Sequence, residues 1–164
     1  MKPLDGDGKY RDTGAVFKPS LSRYRYTFIS KGTFATAIKR LQHKVEIYTH
    51  LQPLQGHFIA IYLGSIALDT PYPLAAANVI HILLMSCAGN AVTVNDDVLP
   101  EKLRLQELLH TQIVIHDDLR QENLFFNYER ERIMPIDFDL AITLPAVRHR
   151  QVEWLSHKRK RHLL

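Results

Sequence analysis

The segment spanning residues 113–139, IVIHDDLRQENLFFNYERERIMPIDFD, contains the side chains with the clearest chemical potential. Asp118 and Asn123 are five positions apart, and Asp137 follows fourteen positions later at the end of an apolar run. Phosphoryl transfer needs one carboxylate to accept a hydroxyl proton, and a second carboxylate with an amide oxygen to hold Mg²⁺ against phosphates. A hairpin between Asn123 and Asp137 would place the two carboxylates around one ion. The alternative is a polar turn with an Asx cap.

Hydrophobic periodicity predicts the elements that must position these side chains. Period-two alternation at Tyr24, Tyr26 and Phe28 predicts a strand from Val16 to Lys31 that ends at Gly32. Apolar residues at three- and four-residue steps predict a helix over 34–51. The remaining predicted elements are strands over 59–63 and 79–85 separated by a loop with Pro71 and Pro73, a helix over 101–110, a short apolar run over 113–115, and a hairpin of 124–127 with 133–138. Strands with one long helix among them predict an α+β fold.

Composition limits the classes of protein to which the chain can belong. Its 164 residues fit one domain, and a single cysteine, Cys87, excludes an internal disulfide framework or a multi-cysteine zinc site. The longest apolar patch, over 80–88, is far shorter than the roughly 20 residues that span a bilayer. The N-terminus has no apolar stretch of signal-peptide type. We therefore expect an intracellular protein of the cytoplasm, the nucleus or both, without membrane contact.

The positive charge is concentrated at the C-terminus. Residues 148–164 contain six basic residues and one acidic residue, whereas residues 1–147 are close to neutral. Such a segment is usually a solvated tail, but it also fits nuclear targeting or contact with nucleic-acid phosphates. The predicted organisation is a loose N-terminus (1–15), a compact domain (16–147) and a basic tail (148–164).

The string H-x-D-L-R-x-x-N followed by Asp-Phe-Asp resembles the catalytic loop and D-F-G motif of the protein kinase superfamily. It is more similar still to short fungal kinase-like proteins with H-x-D-L-R-x-E-N and I-D-F-D motifs. The resemblance implies a β-rich N-lobe with one long helix and a minimal C-lobe that carries the catalytic hairpin. It also implies the following roles: Asp118 as catalytic base, His116 as the structural histidine, Arg120 as a cation near the transferred phosphate, and Asn123 and Asp137 as Mg²⁺ ligands.

Upstream, the resemblance implies an ATP site. Lys31 would grip the α- and β-phosphates, and the stretch containing Met85, Ser86 and Cys87 would meet the adenine. Two of these residues also have a simpler interpretation. The alternative for Lys31 is a surface lysine, and the alternative for Cys87 is a small buried residue. The predicted core consists of Leu83, Leu84, Ile113, Val114, Ile115, Leu124, Phe125, Ile133 and Ile136.

The chain departs from the kinase pattern in several respects. Lys44 stands where the helix of an active kinase has a glutamate, and at 100° per residue Glu46 points to the opposite face. Lys31 and Lys44 would then approach one phosphate site. No G-x-G-x-x-G precedes Lys31, the third D-F-G position is Asp139, and few residues follow it.

The predicted function is an ATP-dependent phosphotransferase of protein-kinase type that acts on a Ser or Thr hydroxyl and uses ATP and Mg²⁺. A non-catalytic pseudokinase that binds nucleotide is the alternative. A small-molecule kinase of the aminoglycoside or choline type shares H-x-D-x-x-x-x-N and is a second alternative. A nucleic-acid-binding protein that uses the basic tail is a third, and the protein substrate or partner is not predicted.

Overall fold

The fold is α+β, which confirms the predicted class. A computed structural model describes residues 14–21, 23, 26–74, 77–93 and 98–145. Tyr24, residues 1–13 of the predicted loose N-terminus and the whole basic tail lie outside the described residues. The elements are β1 (Gly14–Phe17), β2 (Ser20–Leu21), β3 (Tyr26–Phe34), α1 (Ile38–His50), β4 (Tyr62–Pro73), β5 (Asn78–Ser86), β6 (Asn90–Ala91), α2 (Leu99–Thr111), β7 (Val114–Ile115), β8 (Leu124–Asn127), β9 (Arg132–Pro135) and β10 (Ile142–Thr143).

Half of the strands formed by the described residues, β1 to β5, belong to one antiparallel sheet in the N-terminal half. Its order is β1-β3-β5-β4, and β2 pairs with β3 at the side. The C-terminal half has two small antiparallel sheets, β6-β8-β9 and β10-β7, with α2 packed beside β7. No helix formed by the described residues is long and apolar enough to cross a membrane.

Strand β3 continues through Gly32 to Phe34, so the prediction that Gly32 ends the strand is wrong. The reason is a close approach of neighbouring side chains. A Cβ atom at Gly32 would lie 2.9 Å from a methyl group of Val79 and 3.0 Å from the ring of Phe17. The glycine therefore allows β5 and β1 to pack tightly beside β3, and it does not break the strand.

The second predicted strand is misplaced. Residues 59–61 precede β4, which begins at Tyr62 and runs on through Pro71 to Pro73, so these two prolines belong to a strand and not to a loop. Strand β4 lies at the edge of the sheet. Proline is tolerated on an edge strand because its missing N–H group is not needed for pairing on the open side.

The two predicted helices are confirmed with shifted ends. Phe34 closes β3, a 3₁₀ turn covers Ala35–Ala37, and α1 therefore begins at Ile38. Helix α2 covers the predicted 101–110 segment, with Pro100 in its first turn, where its missing N–H group is harmless. The predicted hairpin is present as β8 and β9, with the polar turn 128–131 between them.

The main core lies where α1 packs against the sheet and the C-terminal half. Tyr48 and Phe138 are its largest fully buried side chains, and their rings meet edge-on with centroids 5.2 Å apart. The predicted core residues Leu83, Val114, Leu124 and Ile133 are buried. The other five are only half-buried: Leu84, Ile113, Ile115, Phe125 and Ile136. Leu84, Ile115 and Phe125 lie in strands, which present only one side chain in two to the core, whereas Ile113 and Ile136 lie just outside β7 and β9.

Candidate functional site

Four charged side chains from distant parts of the chain form one compact cluster. The Lys31 Nζ atom lies 3.1 Å from Asp137 Oδ1 and 3.1 Å from Asp139 Oδ2. The Lys44 Nζ atom lies 2.8 Å from Asp137 Oδ1 and 2.7 Å from Asp139 Oδ1. Each ammonium group therefore bridges both carboxylates. We call Lys31, Lys44, Asp137 and Asp139 the charge cluster.

Three elements position the charge cluster. Lys31 lies on the central strand β3, where it pairs with Leu83 of β5, and Lys44 lies on the buried face of α1. The two aspartates flank Phe138 after β9, and Asp137 has a left-handed backbone with φ 62° and ψ 63°. Aspartate is among the few residue types that adopt this conformation routinely. Burial of Phe138 between the aspartates turns both carboxylates towards the lysines.

Burial and charge act in opposite directions on the groups in this cluster. Burial alone would raise the pKa of the Asp137 carboxyl, but Lys44 and Lys31 together hold that pKa below its ordinary value. Burial would lower the pKa of Lys31, but Asp137 and Asp139 raise it above its ordinary value. Lys44 is more deeply buried, and burial together with the Lys31 charge lowers its pKa. Each lysine of the cluster is paired with both aspartates at salt-bridge distance.

Asp118 lies in the loop after β7 and is held by two neighbours. Arg120 contacts both of its carboxylate oxygens, with Nε 2.6 Å from Oδ1 and Nη2 3.0 Å from Oδ2. The Asn123 side-chain amide donates to Asp118 Oδ2 at 2.8 Å and to the Asp118 carbonyl at 3.0 Å. The hydrogen bonds from Arg120 lower the pKa of the Asp118 carboxyl. Asp118 is therefore ionised and oriented, with 15% of its side chain exposed.

His116 fixes this loop to the strand end that carries Asp137. Its Nε2 atom lies 3.0 Å from the carbonyl oxygen of Ile136, and the Ile136 N–H group donates to the Asn123 carbonyl at 2.8 Å. Burial lowers the pKa of the His116 imidazole, so the ring is neutral and Nε2 donates. The contacts of His116 therefore hold the Asp118 loop beside the aspartate turn.

A cleft of ≈ 270 Å³ extends from the charge cluster between the large sheet and the C-terminal half. Its wall is mainly apolar and includes Val16, Ile29 and Phe125, and Lys31, Lys44 and Asp137 lie at one end. The predicted adenine-contacting residues Met85, Ser86 and Cys87 line this cleft together with Ala88, Gly89 and Ile136. The structure therefore brings these residues and Lys31 to one cavity.

The three predicted adenine-contacting residues also have structural contacts. Met85 is buried, while the Ser86 side chain accepts a hydrogen bond from the Ile61 N–H group at 2.8 Å. Cys87 is half-buried, with its Sγ atom 3.7 Å from the Gly89 carbonyl oxygen.

The carboxylates do not form a divalent-cation site in their present arrangement. Three of their four oxygens contact ammonium groups, and the Asn123 amide nitrogen is directed to Asp118 and not towards the charge cluster. Among the described residues, no group of three or more His, Cys, Asp or Glu side chains is placed to hold a metal ion. The predicted Mg²⁺ ligands Asn123 and Asp137 lie on adjoining backbone segments, but this donor set does not fit Mg²⁺, which prefers several free oxygen ligands.

The sequence pattern placed Lys44 beside Lys31 at one phosphate site, but it gave no role to Asp139, which contacts both lysines. Tyr48 also lines the cleft, and among the described residues its fully buried hydroxyl group has no hydrogen-bond partner. In the sequence, Lys44 and Tyr48 are separated by about one helical turn, and this spacing indicated that both side chains lie on one face of α1.

Comparison with known proteins identifies one relative by name. The chain is 40% identical over 161 residues to the meiotic driver SPOK2 of Podospora anserina. The match covers 96% of this chain but only 21% of the relative, so the chain spans about a fifth of the length of that protein. No protein-family model matches the chain.

These comparisons contradict the predicted membership of the protein kinase-like superfamily. No kinase family model matches, and the relative is described as a meiotic driver and not as a kinase. The short motif behind the prediction has local structural explanations in this fold. Asn123 binds Asp118, and His116 binds the Ile136 carbonyl. These contacts stabilise a loop whatever family the chain belongs to, so the motif did not establish ancestry.

Proposed function

We propose that this protein binds ATP in the cleft beside the charge cluster. The observation that carries the proposal is a mainly apolar slot that ends at the ammonium groups of buried Lys44 and half-buried Lys31. A nucleotide matches this arrangement of an apolar slot and a positively charged end, because its base is flat and largely apolar and its phosphates are anionic. The cleft volume of ≈ 270 Å³ is close to the lower end of small-ligand pockets.

In this arrangement the base would lie between the sheet and the hairpin. Ile29 and Ala60 come from the side of the large sheet, and Phe125 and Ile136 come from the C-terminal half. The phosphates would extend towards Lys31 and Lys44. Burial of Lys44 and partial burial of Lys31 strengthen their attraction for an anion, because the surrounding dielectric is lower than that of water.

The description of the relative indicates the kind of protein in which the proposed nucleotide site would work. SPOK2 is described as a meiotic driver, and the present chain corresponds to about a fifth of its length. We propose that this chain serves as the nucleotide-binding part of a protein of that kind.

Isothermal titration calorimetry with ATP tests the proposed binding. Lys31→Met should weaken ATP binding at least tenfold, because it removes a buried ammonium group from the phosphate end of the cleft. Lys39→Met is the matched control, since Lys39 lies on the exposed face of α1 and should leave the affinity unchanged. Absence of ATP binding by the wild-type protein, with or without MgCl₂, would refute the proposal.

Phosphoryl transfer to a Ser or Thr hydroxyl is the second candidate function, and the geometry of Asp118 favours it. The ionised carboxylate is held by Arg120 and Asn123, and it can only accept protons or hydrogen bonds. A second cavity of ≈ 220 Å³ reaches Asp118 from the side of α2, where Lys102 and His110 line it. A hydroxyl acceptor in this cavity would lie next to the proposed base.

A radiometric assay with labelled ATP distinguishes catalysis from binding alone. Asp118→Asn should lower phosphoryl transfer about 100-fold or more, because general bases contribute roughly 10²–10⁴ to rates. Asp69→Asn is the control, since Asp69 is exposed on β4 and lines neither cavity. Aminoglycoside and choline acceptors, offered beside a Ser/Thr peptide, test the small-molecule alternative. Wild-type ATP binding without turnover on any acceptor would favour a non-catalytic module.

A further inference from the structure

We propose that Lys31 and Lys44 together replace a divalent cation, so that the cleft binds the phosphates of a nucleotide without metal. This inference rests on the proposed ATP binding and specifies its cofactor requirement. The charge cluster carries it, since two ammonium groups occupy the carboxylate oxygens that would otherwise bind a metal ion.

The positions of the ammonium groups are those expected of a substitute cation. Both bridge Asp137 and Asp139, at distances of 2.7–3.1 Å, so the pair holds the two carboxylates together as a shared ion would. The contacts are shielded from water, since only 15% of the Lys31 side chain and 4% of the Lys44 side chain are exposed. A metal ion would have to displace ammonium groups from oxygens and also lose its own water ligands, which Mg²⁺ does reluctantly.

The ammonium groups retain the capacity to bind phosphate. Each has three N–H donors, and the contacts with Asp137 and Asp139 account for two on each lysine. The third donors can reach an anion at the end of the cleft that Lys31 and Lys44 line. Two ammonium groups also carry the same total charge as one divalent ion. The aspartates therefore orient the lysines, and the lysines contact the phosphates.

Lys44 determines whether ATP binding requires a metal ion, because removing its positive charge leaves more carboxylates than ammonium groups in the cluster. Two carboxylates would then face only Lys31, leaving one net negative charge at the position of the phosphates. An incoming nucleotide would be repelled unless a divalent cation accompanied it. Lys44→Met should therefore convert metal-independent ATP binding into metal-dependent binding.

Calorimetric titration of the full chain with ATP, in EDTA or in MgCl₂, tests the inference. For the wild-type protein, the Kd for ATP in EDTA should lie within about threefold of the value in MgCl₂. For Lys44→Met, the affinity in EDTA should fall at least tenfold, and MgCl₂ should restore most of it. Lys44→Met/Asp139→Asn removes one charge of each sign, so it should again bind ATP without metal to within about threefold of its value in MgCl₂. Lys39→Met is the surface control.

The outcomes separate this inference from the proposed function. Wild-type binding that requires MgCl₂ overturns the inference and leaves ATP binding intact. No wild-type binding under either condition overturns both. Unchanged metal independence in Lys44→Met overturns the role of Lys44. If Lys44→Met does not fold, Lys31→Met replaces it, because it also leaves one ammonium group against two carboxylates, and unchanged metal-independent binding by that variant overturns the inference.

Discussion

At the scale of single residues, the pairing of opposite charges stabilises the charge cluster. Removing the partners of any one member would lower the stability of the folded protein. A buried charge without a partner destabilises a protein strongly, whereas a paired one is close to neutral in its net effect. Asp137 is the central member because Oδ1 contacts both lysines. Its left-handed backbone directs the carboxylate into the cluster.

The pH dependence of stability should report on Asp137. Lys44 and Lys31 hold its pKa below that of the unfolded chain, so the folded state stays ionised while the unfolded state takes up a proton. The stabilisation is therefore complete above about pH 5, beyond the unfolded pKa of about 3.9, and is lost as the pH falls. Urea unfolding between pH 6 and pH 3 should show a loss of about 1 kcal/mol or more that Asp137→Asn reduces. Asp69→Asn on exposed β4 is the control, and equal pH slopes in all three proteins would contradict the assignment.

Tyr48 provides a second prediction at this scale. Its hydroxyl group is fully buried without a partner among the described residues, and burial raises the pKa of the phenol, so the group stays protonated. Tyr48→Phe removes an unsatisfied polar group, so the free energy of unfolding should be unchanged or rise by up to about 1 kcal/mol. Tyr62→Phe is the comparison, because the Tyr62 hydroxyl donates to Ser65 Oγ at 3.3 Å. A loss above about 1 kcal/mol for Tyr48→Phe would show that the hydroxyl is hydrogen-bonded.

At the scale of elements, α1 connects the two halves of the molecule. Besides Lys44, it places His43 with Nε2 2.6 Å from the Ala141 carbonyl oxygen, and His50 with Nε2 2.7 Å from the Gln112 carbonyl oxygen. One face of this helix packs on the sheet, and its polar side chains cap backbone groups of the C-terminal half. The segment after β5 makes the second connection, where Gly89 passes close to β8.

Gly89 should tolerate substitution far less well than another glycine of similar backbone conformation. Both Gly89 (φ 118°) and Gly64 (φ 125°) have positive φ, but a Cβ atom at Gly89 would overlap the carbonyl oxygen of Phe126, whereas the space around Gly64 is open. Gly64→Ala should cost about 1 kcal/mol of unfolding free energy from backbone strain alone. Gly89→Ala should cost at least about 2 kcal/mol more, because β8 must move. Urea denaturation measures both, and equal losses would refute the close approach.

At the scale of the whole molecule, the charged side chains fall into two groups. The charge cluster pairs two lysines with two aspartates inside the fold, where 4–18% of each side chain is exposed. The surplus positive charge belongs to residues 148–164, with six basic residues and one acidic residue. Nucleic-acid contact through this segment stays a prediction that is independent of the cleft.

Deletion of residues 148–164 tests the predicted nucleic-acid contact separately from the proposed ATP binding. If the basic segment binds phosphate backbones, the deletion should abolish a salt-sensitive interaction with duplex DNA or RNA, measured by fluorescence anisotropy at about 50 and 200 mM salt. ATP binding should persist, because every side chain of the cleft precedes residue 138. Unchanged nucleic-acid affinity in the shortened protein would exclude this use of the segment.

Much of the local structure could be predicted from the sequence. The two helices and the β8–β9 hairpin follow from periodicity and turn residues, which act over short stretches of chain. The features that were predicted wrongly depend on contacts with residues that are distant in the sequence. Gly32 continues a strand because Val79 lies beside it, and the prolines of β4 are accommodated because that strand is at an edge.

By itself, the sequence determined the α+β class and the contacts around Asp118, which span only two to five positions, whereas the phosphate chemistry stays a prediction. Only the tertiary structure decided what surrounds Asp137. Lys44 is 93 positions away and Lys31 is 106 positions away, and no local pattern specifies that both ammonium groups meet the same carboxylates. That meeting depends on packing α1 against the sheet and burying Phe138 beneath it, because a buried charge is stable only where the fold supplies its partner.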